Sequence, residues 1–215
     1  MRIVVTRPEA RAPELARRLE ALGHEVVVSP LIETEPLGDE PIELGGYDWV
    51  VVTSRTGAEL LAQRARSPWP RIAAIGPGTA DALRAAGHEP SLIPAVSTQE
   101  GLVADFPRPP GRVLFAGAAG ARRHIVEELG ADFVPLYRTV EIRPREPLRG
   151  DVVVLASASA ARAFASLDTP IPVVSIGPET SRIARAGGAR VAAEAVTHDL
   201  EGLVAAVEAA CSSPS

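Results

Sequence analysis

Residues 48–54 read DWVVVTS and residues 151–157 read DVVVLAS, 103 positions later. Each is an acid, an unbroken β-branched and aliphatic run, then small or hydroxylated residues leading into an Ala-rich segment. A run that is apolar at both alternating positions is expected of a strand with both faces covered, as in a parallel sheet between two helix layers. Working outward, short apolar runs alternate with amphipathic segments along the whole chain, which predicts an α/β fold with parallel strands. Strands are expected at RIVVT, HEVVVSP, YDWVVVTS, RIAAIGP, weakly at SLIP (91–94), GRVLFAG, DFVPLY, DVVVLAS, IPVVSIGP and ARVAA. Helices are expected over 9–23, 56–66, about 78–86, from 99, up to Gly130, over 159–166, up to about Gly187, and from about Asp199.

The repetition goes beyond the opening pair. IGPGT (75–79) recurs as IGPET (176–180), EGL (100–102) as 201–203, and RIVVT…ALGHEVVVSPL resembles RVLFA…ELGADFVPLY, so the chain is two copies of one unit. The copies need not be the domains. Segments 48–136 hold five strand candidates, while two remain at the start and three at the end. These five form a second sheet if the amino-terminal segment docks on the carboxyl-terminal third. The expected domains are therefore 1–34 with 144–215, and 37–136, joined by two crossovers at about 33–37 and 137–143.

Composition narrows the function. With 46% hydrophobic and 4% aromatic residues, the core is expected to be many small aliphatic contacts. A net charge of −5 with arginines spread along the chain argues against nucleic acid. The single cysteine, Cys211, reads as part of a polar tail, fits a reducing cytoplasm, and has no Cys/His metal spacing around it. Neither a signal-peptide layout nor a membrane-length apolar run is present, and no apolar seam suggests an oligomer, so a cytoplasmic monomer is expected.

In open α/β sheets, ligands bind beyond the carboxyl ends of the strands. The residues there are Thr6 and Arg7, Thr53 to Thr56, Gly76 to Thr79, Ser97 and Thr98, Gly117 to Gly120, Ser157 to Ser159, Gly177 to Thr180, and Thr197 and His198. Hydroxyls and glycines at helix starts suit carboxylate or phosphate oxygens, because the first turn has unpaired N–H groups and a positive dipole end. Each hydroxyl is equally an ordinary helix cap, and each glycine equally a turn. The duplicated Asp48 and Asp151 lie at the amino ends of their strands, the wrong end for chemistry. GAAGAR (117–122) lacks the rest of a dinucleotide fingerprint, and no serine sits in a nucleophile elbow. His24 and His88 read as turn residues after helix-ending glycines. Tyr137, where the second crossover begins, is either an amphipathic ring packed at a hinge or the best-placed proton donor.

Together VVTRP, DWVVVTSRTG with its echo DVVVLASASA, AIGPGTADAL with SIGPETSRIA, TQEGL with LEGL, and VPLYRTV resemble the uroporphyrinogen-III synthase family over nearly the whole chain. The resemblance implies two flavodoxin-like domains on a two-stranded linker, with hydroxymethylbilane bound in a cleft and no metal or organic cofactor. It implies closure of this linear tetrapyrrole with inversion of the last ring through a spiro intermediate. Tyr137 matches the family tyrosine that assists loss of the hydroxyl, and Thr180 the threonine that meets substrate, with Thr79 its counterpart. Thr6, Arg7, Thr53, Ser54, Arg55, Gly76, Ser97, Thr98, Gly117, Ser157, Ser159, Gly177, Thr197 and His198 are then substrate-binding candidates. Ala156 departs from the pattern, since many relatives have a hydroxyl there, which puts a symmetric role for Thr53 in doubt. The alternative is a non-enzymatic two-domain binding protein or sensor for a polyanionic small molecule.

Overall fold

A computed structural model describes residues 1–66 and 68–212. In chain order the elements are β1 (Arg2–Val5), α1 (Ala12–Ala21), β2 (Glu25–Val28), β3 (Ile32–Pro36), β4 (Ile42–Glu43), β5 (Trp49–Val52), α2 (Arg55–Arg64), β6 (Ala65–Arg66), β7 (Arg71–Ala74), α3 (Pro77–Ala85) and α4 (Gln99–Asp105). There follow β8 (Val113–Ala118), α5 (His124–Leu129), β9 (Asp132–Glu141), β10 (Val152–Leu155), α6 (Ala158–Ala165), β11 (Val173–Ser175), α7 (Pro178–Ala186), β12 (Val191–Glu194) and α8 (Leu200–Ser212). Contacts divide the chain into two compact units, Met1–Thr34 with Thr139–Ser215, and Glu35–Arg138.

The first unit holds a parallel sheet in the order β12-β11-β10-β1-β2. Successive residues of each central strand feed opposite layers, as period-2 geometry requires. Ile3, Val5, Val152 and Val154 pack against Leu15 and Leu19 of α1 and Leu203 and Val207 of α8. Val4, Val153 and Leu155 pack against Ala160 and Phe164 of α6 and Ala184 of α7. Both faces are covered, which is why DVVVLAS has no polar alternation. Each fully buried leucine here contributes roughly 1.5–3 kcal/mol relative to exposure.

The second unit repeats the plan with the sheet order β3-β9-β8-β5-β7. Val50, Val52, Leu114 and Ala116 face Leu61 of α2 and Leu83 of α3, while Trp49, Val51 and Phe115 face Leu102 of α4 and Ile125 of α5. The duplicated acids are braces. Asp48 Oδ2 accepts from the Arg112 amide at 2.8 Å, and Asp151 Oδ2 from the Arg2 amide at 2.7 Å, each fixing the chain where a neighbouring strand starts.

Several expectations need correcting. SLIP contributes a single bridge, Leu92 to Ala73, rather than a strand, because the chain there touches β7 at one residue and turns away. The fifth place in the second sheet goes to β3 instead, the first crossover segment. β9 runs unbroken through Tyr137 to Glu141, and Arg138 on it donates to Glu35 on β3 at 2.6 Å. The stretch 31–46, which holds none of the strands expected from local pattern, contains β3 and β4, the latter paired with β6. Cys211 is not in a polar tail: it lies in the last turn of α8, half-buried, and burial pushes its thiol up. The last three residues of the expected 144–215 domain lie outside the described residues.

Candidate functional site

The duplicated IGPxT turns start α3 and α7, each with glycine as the cap and proline at the first helical position. Proline there costs no hydrogen bond and presets φ for the helix. The two glycines are extended (φ −176° and 168°), so handedness does not demand them. Close approach does. A Cβ on Gly76 would lie 2.5 Å from Ser97 Oγ, and one on Gly177 would lie 2.8 Å from the His198 ring. The missing side chain lets the loop before α4 or α8 lie against the start of α3 or α7. Thr79 and Thr180, in those first turns, are 6% and 4% exposed. Neither hydroxyl has a hydrogen-bond partner among the described residues.

In the second unit β9, β8, β5 and β7 are neighbours, and Tyr137, within β9 but paired with Ala118 at the end of β8, falls in one row with Gly117, Thr53 with Ser54, and Gly76. A Cβ on Gly117 would lie 3.6 Å from Thr53 Oγ1, placing that half-buried threonine beside β8. Ser54 Oγ accepts from the Gly57 amide at 2.9 Å, capping α2, and lies 2.9 Å from the Tyr137 hydroxyl. Tyr137 is 9% exposed and packed in the layer against α2 and α3. Thr98 caps α4 through the Gly101 amide at 3.0 Å, while Ser97 and Arg55 are exposed. Two residues on, in the first turn of α4, Glu100 is gripped by both terminal nitrogens of Arg122, at 2.5 and 3.1 Å. That charge-assisted bond, with backbone hydrogen bonding, pulls the carboxyl down to about 2.

In the first unit the row along β12, β11, β10 and β1 presents Thr197 and His198, Gly177, Ser157 and Thr6. Ser157 caps α6 through the Ala160 amide at 3.1 Å, Ser159 accepts from Arg162 at 3.1 Å, and Arg7 is half-buried. Thr197 donates to Asp199 at 2.9 Å, and Asp199 in turn accepts from the Gly202 amide. Thr6 departs from its expected role. It is fully buried and its hydroxyl donates to the Val154 carbonyl at 2.7 Å, so it fastens β1 to β10 and offers nothing to a ligand.

A model of the family described as uroporphyrinogen-III synthase HemD matches residues 13–205. The chain belongs to the uroporphyrinogen-III synthase family. It is 28% identical to the uroporphyrinogen-III synthase of Synechococcus elongatus, across 96% of this chain and 94% of that protein. It is also 28% identical to the porphyrin biosynthesis protein HemD of Ruminiclostridium josui, over 92% of this chain and 46% of that longer protein. Its fold resembles a crystal structure of a mutant uroporphyrinogen III synthase from Thermus thermophilus, with a TM-score of 0.63 at 16% identity and 98% of both chains covered.

One feature of this uroporphyrinogen-III synthase family member was not visible in the sequence as a site. Ser175 and Ser181, both fully buried, share a 2.6 Å hydrogen bond that ties the end of β11 to the first turn of α7 beside Thr180. The second copy has Ala74 and Ala80 at the matching positions. That asymmetry between the repeats was the available signal. Among the described residues, the one cluster of metal-type ligands is His24, Glu208 and Cys211, and it belongs to neither carboxyl edge.

Proposed function

We propose that this protein cyclises hydroxymethylbilane to uroporphyrinogen III, with loss of water and inversion of the last pyrrole ring. Family membership supports the reaction, and the Ser54–Tyr137 hydrogen bond at the carboxyl edge supports the assignment of its proton donor. Ser54 already accepts from Gly57, and its own hydroxyl hydrogen is available to point at the Tyr137 oxygen. In that orientation the phenol proton is not spent on Ser54. The terminal C–O bond of hydroxymethylbilane breaks with electron push from its pyrrole nitrogen, and Tyr137 supplies the proton that lets the oxygen leave as water. The substituted carbon of the last ring then attacks the azafulvene, the spiro intermediate fragments, and reclosure loses a proton.

The uncatalysed closure gives the other isomer, so the protein's main task is to hold the chain in one conformation. The unpartnered Thr180 and Thr79 hydroxyls and the helix starts around them suit the acetate and propionate groups that any such grip must use. Thr180 is the working member, because Ser175 and Ser181 brace its turn, whereas the positions that match them beside Thr79 are Ala74 and Ala80. The same reading makes the protein a cytoplasmic monomer whose partner is this small molecule, with no cofactor in the closure itself.

The test is to supply hydroxymethylbilane, oxidise the product and separate the uroporphyrin isomers. Isomer III above the blank is expected; isomer I alone overturns the reading.

A further inference from the structure

The amino edge of the first sheet, opposite the carboxyl-edge residues, carries the His24, Glu208 and Cys211 group. His24 follows Gly23, which ends the α1 turn at φ +85°, and leads directly into β2. Glu208 and Cys211 are three residues apart on α8, so they share one face of it. His24 Nε2 lies 2.6 Å from Glu208 Oε1, and the nitrogen, oxygen and sulfur ligand atoms all lie within 4.8 Å of one another. Ligands on a tetrahedral ion at metal–ligand distances of 2.0–2.3 Å stand about 3.3–3.6 Å apart, a spacing this group reaches with small side-chain adjustments. The His24 side chain is 10% exposed and Glu208 46%, which leaves one side open for a fourth ligand such as water.

We propose that His24, Glu208 and Cys211 form a binding site for a divalent transition-metal ion of the zinc class, which clips the end of α8 to the corner between α1 and β2. A histidine–glutamate pair alone explains two of the three side chains. It does not explain why the chain's single cysteine is turned to the same point. One thiol, one imidazole and one carboxylate select zinc or cobalt over magnesium or calcium, which prefer all-oxygen sites. On binding, the thiol gives its proton to solvent and the thiolate takes the metal. The clip complements the Arg18–Glu201 pair, at 2.6 Å, which already ties α1 to the first turn of α8. It stands apart from the cyclisation chemistry.

Cobalt(II) is the probe, added to the reduced full-length chain. Because Cys211 is the only cysteine, a thiolate-to-cobalt charge-transfer band reports on this site alone. One equivalent of cobalt with that band is expected, and zinc should displace it and raise the melting temperature. Cys211→Ser should abolish both effects. His24→Ala and Glu208→Gln should each weaken cobalt at least about tenfold, the lower end of what loss of even an outer-sphere partner costs. Chelator-treated protein should keep its cyclisation rate. The site is overturned if excess cobalt gives no charge-transfer band while the thiol remains titratable. It is equally overturned if His24→Ala and Glu208→Gln, folded by circular dichroism, bind cobalt as tightly as the parent. Loss of cyclisation on chelation would overturn its separateness from the reaction.

Discussion

Replacing Tyr137 with phenylalanine removes one oxygen from a ring that is 9% exposed, without opening a cavity. The ring keeps its packing against the α2 and α3 layer, and Ser54 keeps its bond to the Gly57 amide. Loss of the Ser54 hydrogen bond costs about 1 kcal/mol, or roughly 2–4 °C in melting temperature for a chain of this size. A positioned general acid is typically worth 10²–10⁴-fold in rate. Here the leaving oxygen sits on a carbon pushed by an electron-rich pyrrole, so less help is needed. Turnover should fall about tenfold, equivalent to about 1.4 kcal/mol of barrier. Ser54→Ala should also lower turnover, by releasing the phenol, and should cost about a further 1 kcal/mol of stability as a lost helix cap. If Ser54 acts through Tyr137, the double variant should turn over no more slowly than Tyr137→Phe alone. The assay is the initial rate of isomer III formation, corrected for spontaneous isomer I, alongside thermal melts. Parental turnover in Tyr137→Phe would remove the phenol from the mechanism, and independent multiplication of the two effects would refute the orienting role of Ser54.

Thr180→Ala should weaken substrate binding about 10–100-fold, the value of a hydrogen bond to a charged group, and Thr79→Ala should weaken it less; equal losses in KM would end the asymmetry between the repeats. Gly177→Ala should destabilise the first unit by at most about 1 kcal/mol, because its Cβ meets the exposed His198 ring at 2.8 Å and that side chain must turn aside. His198→Ala should relieve that cost in urea melts, whereas Gly202→Ala, whose Cβ runs into the Thr197 backbone carbonyl, should not be rescued by Thr197→Ala. Because the Glu100 carboxyl is pulled down from 4.5 to about 2, its contribution is complete above the unfolded value and is lost as pH falls from about 4.5 to about 2. The stability gap between the parent and Glu100→Gln, small because the pair is exposed, should therefore close over that window and shrink in salt, and a gap that widens on acidification would contradict the Arg122 grip.

Much of the architecture was legible because parallel strands buried on both faces leave an unbroken aliphatic signature, as at 49–52 and 152–155, and because the repeat doubled every weak signal. SLIP misled for the same reason: four residues of local propensity do not say whether a neighbouring edge runs alongside them. IETEP alternates with charge and has no strand signal of its own; the family resemblance implies it as one of two linker strands, and it is a strand by lying beside β9. Among the site residues, the helix-cap role of Ser54, Thr98 and Ser157 could be read from position, as could the anion-friendly helix starts. That Thr6 is consumed by the Val154 carbonyl could not be, because a hydroxyl looks the same in sequence whether it faces a ligand or a neighbouring strand.

The sequence by itself determined the α/β class, the duplication and the family, since all three rest on periodicity and motif order, which are properties of the linear chain. Only the tertiary structure decided partnership: Ser54 with Tyr137 across 83 residues, His24 with Glu208 across 184, and Gly76 against Ser97. Contacts at that separation are set by how strands are ordered in a sheet and how helices pack over it, and no local propensity encodes them.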